Sequence, residues 1–217
     1  MDDSKIIISY DIASGPPIRA YAANPWKTRY VLNFKGTPYR TEWVAIPDDR
    51  SLFYTLPIIK DIPTGETIGD SFEIALYLDK TYTNNGSPPL FSSSSVGLQA
   101  AFNAHVDALF TGFILLCTDG ISLNPATAET KVSFLWRFRK EEWEDLTVRG
   151  DARGPMLEAL KAALSELAKV YRRTEGLFLE GENLIYADFI VGAWLACYKA
   201  TLPPKEWEDL QTWHDSL

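Results

Sequence analysis

Hydrophobic and polar positions change period along the first eighty residues, between the alternation of strands and the wider spacing of helices. A β-branched run over Lys5–Tyr10 predicts a buried strand, and Trp26–Phe34 predicts a helix that ends at Lys35-Gly36. Three further strands are predicted at Tyr39–Ile46, Tyr54–Lys60 and Thr67-Ile68. A second helix is predicted from Asp70 onward. The order is β-α-β followed by β-β-α, which predicts a mixed sheet with helices.

The chain beyond this sheet is predicted to be helical. Residues 83–95 are rich in Ser, Pro, Gly and Asn and indicate a linker. The sequence thus divides into a sheet domain (1–83), a linker (84–96) and a helical domain (97–217). Apolar residues at helical spacing predict five helices after the linker: Gly97–Cys117, Lys131–Val148, Pro155–Arg173, Ala187–Ala200 and Trp207–Leu217.

Charge and composition narrow the function. The net charge is -8, so a polyanion such as nucleic acid would be repelled. The basic cluster 137–140 runs straight into acidic residues, which is typical of a solvated helix face. No dinucleotide or P-loop motif is present. His105 and His214 lack ligand spacing, and no metal site is predicted.

The remaining bulk features favour a cytoplasmic protein. Cys117 and Cys197 lie eighty positions apart without ligand spacing and are read as buried free thiols. The acidic N-terminus lacks the pattern of a signal peptide, and the apolar stretches are too short to span a bilayer. We therefore expect no membrane partner.

Three local features indicate a ligand site. Pro57 interrupts an apolar β-run and belongs at an edge or in a special turn, with a cis Leu56-Pro57 bond or an ordinary trans edge proline as the alternatives. A cis bond there would expose the Leu56 backbone for pairing with an extended peptide. Asp70-Ser71 begins a helix whose N-terminus and carboxylate suit a zwitterionic amino-acid end, or serves only as a cap with Glu73.

The third feature is a helix start just after the first strand. Asn24 is predicted as the N-cap and Pro25 as the first helical residue. A thiol held at this helix end would lose its proton more easily.

A peptide edge, an amino-acid clamp and a thiolate-stabilising helix end together suit glutathione. The chain resembles the cytosolic glutathione transferases over nearly its whole length, and most of all the fungal FuA class of wood-decay basidiomycetes. The resemblance is carried by Asn24-x-Trp26-Lys27-Thr28-Arg29-Tyr30, by Asp70-Ser71-Phe72-x-Ile74-Ala75 and by Tyr186-Ala187-Asp188-Phe189. It implies a thioredoxin-like N-terminal domain followed by an all-helical C-terminal domain.

The resemblance also implies roles for individual residues. The backbone of Leu56 or Ile58 beside Pro57 would pair with the cysteinyl part of glutathione, and Asp70 and Ser71 would hold its γ-glutamyl end. The remaining assignments are Ala22 and Lys27 beside glutathione, Asn24 as the catalytic residue, and Tyr21, Phe102, Val106, Phe110 and Phe113 around an apolar pocket.

This sequence departs from the class at three points. Ala22 stands where the class usually has a serine able to hydrogen-bond the sulfur. The helix end and the side chain or backbone of Asn24 are expected to compensate in part, or Asn24 serves only as a cap. The segment from Pro47 to Phe53 is short for the class, and Ile185 replaces the usual Ser/Thr cap three residues before Asp188.

Three functions follow from the resemblance. The first is a transferase that uses glutathione as cosubstrate to conjugate small aromatic or hydrophobic compounds of the wood-polyphenol type. The second is a non-catalytic ligandin that carries such compounds, which Ala22 favours. The third is a glutathione transferase-like interaction module, against which Pro57 and Asp70-Ser71 argue. A homodimer is implied in each case.

Overall fold

The computed structural model of the chain describes residues 6–46, 55–83, 86–121 and 128–211. Its N-terminal part contains one four-stranded sheet in the order β2-β1-β3-β4. β1 is parallel to β2 and antiparallel to β3, which is antiparallel to β4. The predicted mixed sheet is therefore confirmed. Its strands are β1 (Ile7–Ile12), β2 (Tyr39–Val44), β3 (Ile58–Asp61) and β4 (Thr67–Gly69).

Two helices belong to this sheet and five form the C-terminal domain of the described chain. The sheet helices are α1 (Ala23–Phe34) and α2 (Ser71–Thr81). The helical domain contains α3 (Val96–Thr111), α4 (Ala128–Phe138), α5 (Arg153–Tyr171), α6 (Tyr186–Thr201) and α7 (Pro204–Gln211). Ile7 and Ile59 of the sheet share one hydrophobic core with α1, α2 and the bundle helices. α1 packs along α6, and this contact joins the domains.

The predicted elements differ from the observed ones mainly at their ends. α3 ends at Thr111, just before Gly112, and the chain continues in short 3₁₀ turns instead of a helix to Cys117. α4 ends at Phe138 because Arg139 adopts a left-handed conformation with φ of 55°. The predicted helix is therefore wrong from residue 139 to Val148. The last part of the predicted terminal helix, residues 212–217, and the short segment 47–53 lie outside the described residues.

The segment between the domains is held by buried contacts and hydrogen bonds, although its composition is polar. Leu90 is fully buried, and its N–H donates to Asp79 Oδ1 over 2.9 Å. Asp79 also pairs with the buried Lys35 at 2.6 Å. Gln99 then bridges the Leu90 carbonyl and the Ala187 N–H. The end of α1 and the start of α6 thus both hold the connection.

At the start of α6 the expected capping box is present only in part, through the carboxylate of Asp188. Asp188 accepts hydrogen bonds from the Ile185 and Leu179 N–H groups, at 3.0 and 2.9 Å. Because Ile185 has no side-chain acceptor, its backbone carbonyl accepts the Asp188 N–H instead. Burial raises the pKa of Asp188, and these hydrogen bonds oppose the rise.

Candidate functional site

The Leu56-Pro57 peptide bond is cis and directly precedes β3. Of the two alternatives that the sequence left open, the cis bond is therefore the one found, whereas the edge position is wrong because β3 lies between β1 and β4. Pro57 is tolerated because it lies before the first ladder residue, where no N–H is required. Ile58 pairs with Tyr10 and Gly69 on its two sides, which leaves Leu56 as the backbone available to a ligand.

The start of α2 is capped as predicted. Asp70 Oδ1 accepts the N–H groups of Phe72 and Glu73 at 2.8 and 3.2 Å. The Asp70 backbone has a φ of 68°, a region that non-glycine residues occupy at a cost and mostly at functional positions. Asp70 is exposed, whereas Ser71 is buried beside it. The exposed Asp70 carboxylate can contact the ammonium of an amino-acid group, and the positive end of α2 can contact its carboxylate.

The start of α1 differs from the prediction. Ala22, in extended conformation, is the N-cap and makes no side-chain cap bond, so Asn24 is the second helical residue. The prediction of an Asn24 cap was wrong, because the helix begins two residues earlier and Pro25 still falls in its first turn. Arg29 anchors this helix to β1 through Asp11, at 2.8 Å.

One backbone N–H stands out in the first turn of α1. The Ala23 N–H is hydrogen-bonded to Cys197, and Pro25 has no N–H to give. Among the described residues, the Asn24 N–H has no partner within the protein. A sulfur atom bound here would meet this donor together with the positive end of the helix.

A cavity of about 190 Å³ lies between the two domains at this helix start. Its N-terminal wall includes Tyr21, Ala22, Asn24 and Leu56, which the sequence had singled out. Its other wall comes from the helical domain and is largely apolar, with the principal members Ile114, Phe134, Phe138, Trp143, Leu146 and Trp194. The cavity therefore brings the helix start and the cis-proline segment against an aromatic surface.

The residues of the aromatic wall differ from those that the sequence predicted for the apolar pocket. Val106 and Phe110 are fully buried in the core, and Phe102 and Phe113 pack against that core. None of these four residues lines the cavity in the described chain. The actual wall residues Phe134, Phe138 and Trp143 were missed by sequence reasoning. Their signal was the aromatic density of residues 134–143.

Lys27 does not line this cavity. Its side chain is fully buried, and its Nζ contacts Asp107 Oδ1 at 2.6 Å and Asn103 Oδ1 at 2.8 Å. Burial lowers the pKa of Lys27, and the nearby carboxylates of Asp107 and Asp70 oppose that change. Lys27 therefore lies near Asp70 as part of the domain interface.

A larger cavity, of about 390 Å³, lies on the outer face of the sheet. It shares Leu56 with the interdomain cavity but does not contain the start of α1, and Asp70 lines neither cavity. The interdomain cavity is thus the better candidate site. In the described chain, no group of three or more His, Cys, Asp and Glu side chains is arranged to hold a metal ion. Within the same ranges, none of the helices has the length and apolarity needed to cross a membrane.

Comparison with known proteins gives a consistent set of matches. Residues 22–81 match the family model of the glutathione S-transferase N-terminal domain, and residues 97–217 match that of the C-terminal domain. A glutathione S-transferase-like protein of Aspergillus flavus, ustS, is 30% identical over 86% of this chain and 78% of the relative.

Solved structures agree in fold and sequence. A glutathione S-transferase of Ceriporiopsis subvermispora in complex with glutathione is 32% identical, with a TM-score of 0.80 over 96% of this chain and 92% of that one. Glutathione transferase GSTFuA2 of Phanerochaete chrysosporium is 27% identical, with a TM-score of 0.80 over the same shares of the two chains.

Proposed function

Because the chain belongs to the glutathione transferase family, we propose that it binds glutathione and joins its sulfur to small apolar, mainly aromatic electrophiles. The observation that carries this proposal is the interdomain cavity, where the start of α1 and Leu56 face an aromatic wall. Such a cavity places a thiol at a positive helix end and a flat apolar partner beside it.

In this proposal the tripeptide lies along the N-terminal domain. The Leu56 backbone pairs with its cysteinyl part, and Asp70 and the Ser71 end of α2 hold its γ-glutamyl charges. The thiol gives its proton to water, and the thiolate attacks an electrophilic carbon whose leaving group departs with the bonding electrons. The Asn24 N–H stabilises the sulfur charge before the attack, because a donor to a charged acceptor is stronger than one to a neutral acceptor.

A second function, carriage of aromatic compounds with little turnover, is favoured by Ala22. Alanine supplies no hydroxyl to the sulfur, and its neighbour Ala23 directs its N–H to Cys197. A hydrogen bond to a charged group is worth about 1.5–3 kcal/mol, so one missing donor lowers the thiolate population strongly. Binding in the apolar cavity needs no such donor.

We further propose a homodimer in a reducing, cytosolic compartment. α3 exposes an apolar face made of Gly97, Leu98, Ala101, Ala104 and Ala108. The exposed His105 lies beside these residues. A predominantly apolar helix face normally packs against another element, which a second copy would supply. Two free buried thiols and no disulfide among the described residues are consistent with a reducing compartment.

Asp70→Asn tests the site without removing the helix cap, since asparagine caps a helix as well as aspartate does. We expect calorimetry to show glutathione binding to the wild type, and a loss of about tenfold or more in the variant as the charge contact disappears. The exposed Asp151→Asn serves as the matched control and should bind normally.

Turnover of 1-chloro-2,4-dinitrobenzene then separates the candidates. Binding with turnover supports the transferase, and binding of glutathione and aromatic ligands without turnover supports the carrier. If glutathione does not bind the wild type, both fail and an interaction module remains.

A further inference from the structure

One carboxylate on α3 links a wall residue of the interdomain cavity to the helix that begins at the cavity. Asp107 Oδ1 accepts hydrogen bonds from Lys27 Nζ and from Trp194 Nε1, each at 2.6 Å. Lys27 lies on α1 two residues after Pro25, which lines the cavity, and the Trp194 ring of α6 lines it directly. Asp107 is not among the described residues that line the interdomain cavity, so any effect it has on the cavity passes through Lys27 and Trp194.

The Trp194 ring is held in one orientation by two contacts. It stacks on the buried Phe110 ring with centroids 5.4 Å apart and planes 4° apart. Stacking restricts the tilt of the ring, and the hydrogen bond to Asp107 restricts its rotation within the plane. A short bond from a buried N–H to a carboxylate is among the stronger hydrogen bonds in proteins. The Trp194 side chain therefore has a fixed orientation beside the cavity.

The carboxylate is itself held firmly. Asn103 Nδ2 donates to Asp107 Oδ2 over 3.0 Å, while Asn103 Oδ1 accepts from Lys27. Because the Lys27 side chain is fully buried, its ammonium depends on this pairing. Asp107 thus fixes the spacing between α1 and α6 beside the cavity.

We propose that Asp107 is a positioning residue that makes the cavity select flat aromatic groups over flexible aliphatic ones. The inference rests on the proposed function and names the class of S-substituent that the site prefers. A flat ligand ring gains binding free energy by stacking only when the protein ring is held at the right distance and tilt. A flexible alkyl chain can instead adapt its shape to a displaced wall.

The test compares three ligands on four proteins by calorimetry. The ligands are glutathione, S-benzylglutathione and S-hexylglutathione, and the proteins are the wild type, Asp107→Asn, Trp194→Phe and Trp207→Phe. Trp207→Phe is a matched control, since its buried indole N–H has no hydrogen-bond partner in the described chain. Should Asp107→Asn fail to fold, Trp194→Phe, which keeps an aromatic ring but removes the bonded N–H together with the pyrrole part of the indole, decides the outcome.

We expect both site variants to lower the preference for S-benzyl over S-hexyl by about two- to tenfold, the range of an aromatic ring contact. Glutathione itself should bind within about twofold of the wild type, and Trp207→Phe should leave the preference intact. In ¹H–¹⁵N spectra the Trp194 indole proton should lie far downfield and move upfield in Asp107→Asn.

An unchanged benzyl-to-hexyl ratio in folded variants would overturn the inference and leave the proposed function standing. Equal losses for all three ligands would also overturn it, because they would mean that Asp107 only stabilises the domain interface. A wild type that binds none of the three refutes the proposed function itself.

Discussion

The Tyr186 hydroxyl at the start of α6 donates a hydrogen bond of 3.0 Å to the backbone carbonyl of Ser71, at the start of α2. Tyr186 is fully buried, and its ring contacts Phe72 and Phe91. Burial raises the pKa of Tyr186, so its hydroxyl stays protonated and remains a donor. The helical domain thereby positions the α2 end that is proposed to hold glutathione.

Tyr186→Phe is predicted to weaken glutathione binding as well as stability. Loss of one buried hydrogen bond costs about 1 kcal/mol of unfolding free energy, or about 2–4 °C in Tm. Calorimetry should show a several-fold loss in glutathione affinity because Ser71 is less firmly held. Tyr198→Phe is the matched control, since it removes a similar bond to the Phe110 carbonyl within the helical domain. An equal affinity loss in both variants would contradict the prediction.

Ala22→Ser is predicted to raise turnover by supplying the missing donor to the sulfur. A hydroxyl at this extended N-cap position can donate to a thiolate beside the Asn24 N–H, so the sulfur gains a second donor. The gain should be about ten- to a hundredfold in turnover of 1-chloro-2,4-dinitrobenzene, with a lower pKa of bound glutathione in ultraviolet titration. Ala20→Ser, outside the described cavity lining, should change neither quantity. High turnover in the wild type with no gain would show that the Asn24 N–H is sufficient.

Cys117 and Cys197 are predicted to be inert in the native protein. Burial raises the pKa of Cys117 to about 12 and raises that of Cys197 as well. Because a raised pKa keeps a thiol protonated, neither should react with an aromatic disulfide reagent at about pH 8, and both should react in guanidinium chloride. Cys197 lines the cavity, so its inertness leaves glutathione as the nucleophile. Fast reaction of one native thiol would refute this.

Ala104→Arg is predicted to dissociate the proposed dimer. Ala104 lies on the exposed face of α3, where Leu98 is 74% exposed, and an arginine there would place a charge in the contact. Light scattering should give twice the chain mass of 24.4 kDa for the wild type and 24.4 kDa for the variant. Ala162→Arg, on the exposed face of α5, should remain dimeric. A wild type of monomer mass would exclude the proposed interface.

The sequence predicted the elements that carry the site more reliably than the exact residues at which those elements begin. Local patterns predicted the Asp70 cap, the interruption of the strand at Pro57 and the apolar stripes of α5 and α6. Each of these features depends on residues only a few positions apart, so the sequence alone is enough to find it. The start of α1 was misplaced by two residues because Asn24 and Pro25 are favourable at several first-turn positions.

By itself, the sequence determined the order of strands and helices, the Asp70 cap and the family resemblance, because these follow from local spacing and residue type. Only the tertiary structure decided that Phe110 is core while Phe134 lines the cavity, since both lie on apolar stripes and packing alone separates them. It also decided that Lys27 is buried, because its partner Asp107 lies eighty residues away. The residues that shape the site depend on contacts between distant segments, which no local pattern records.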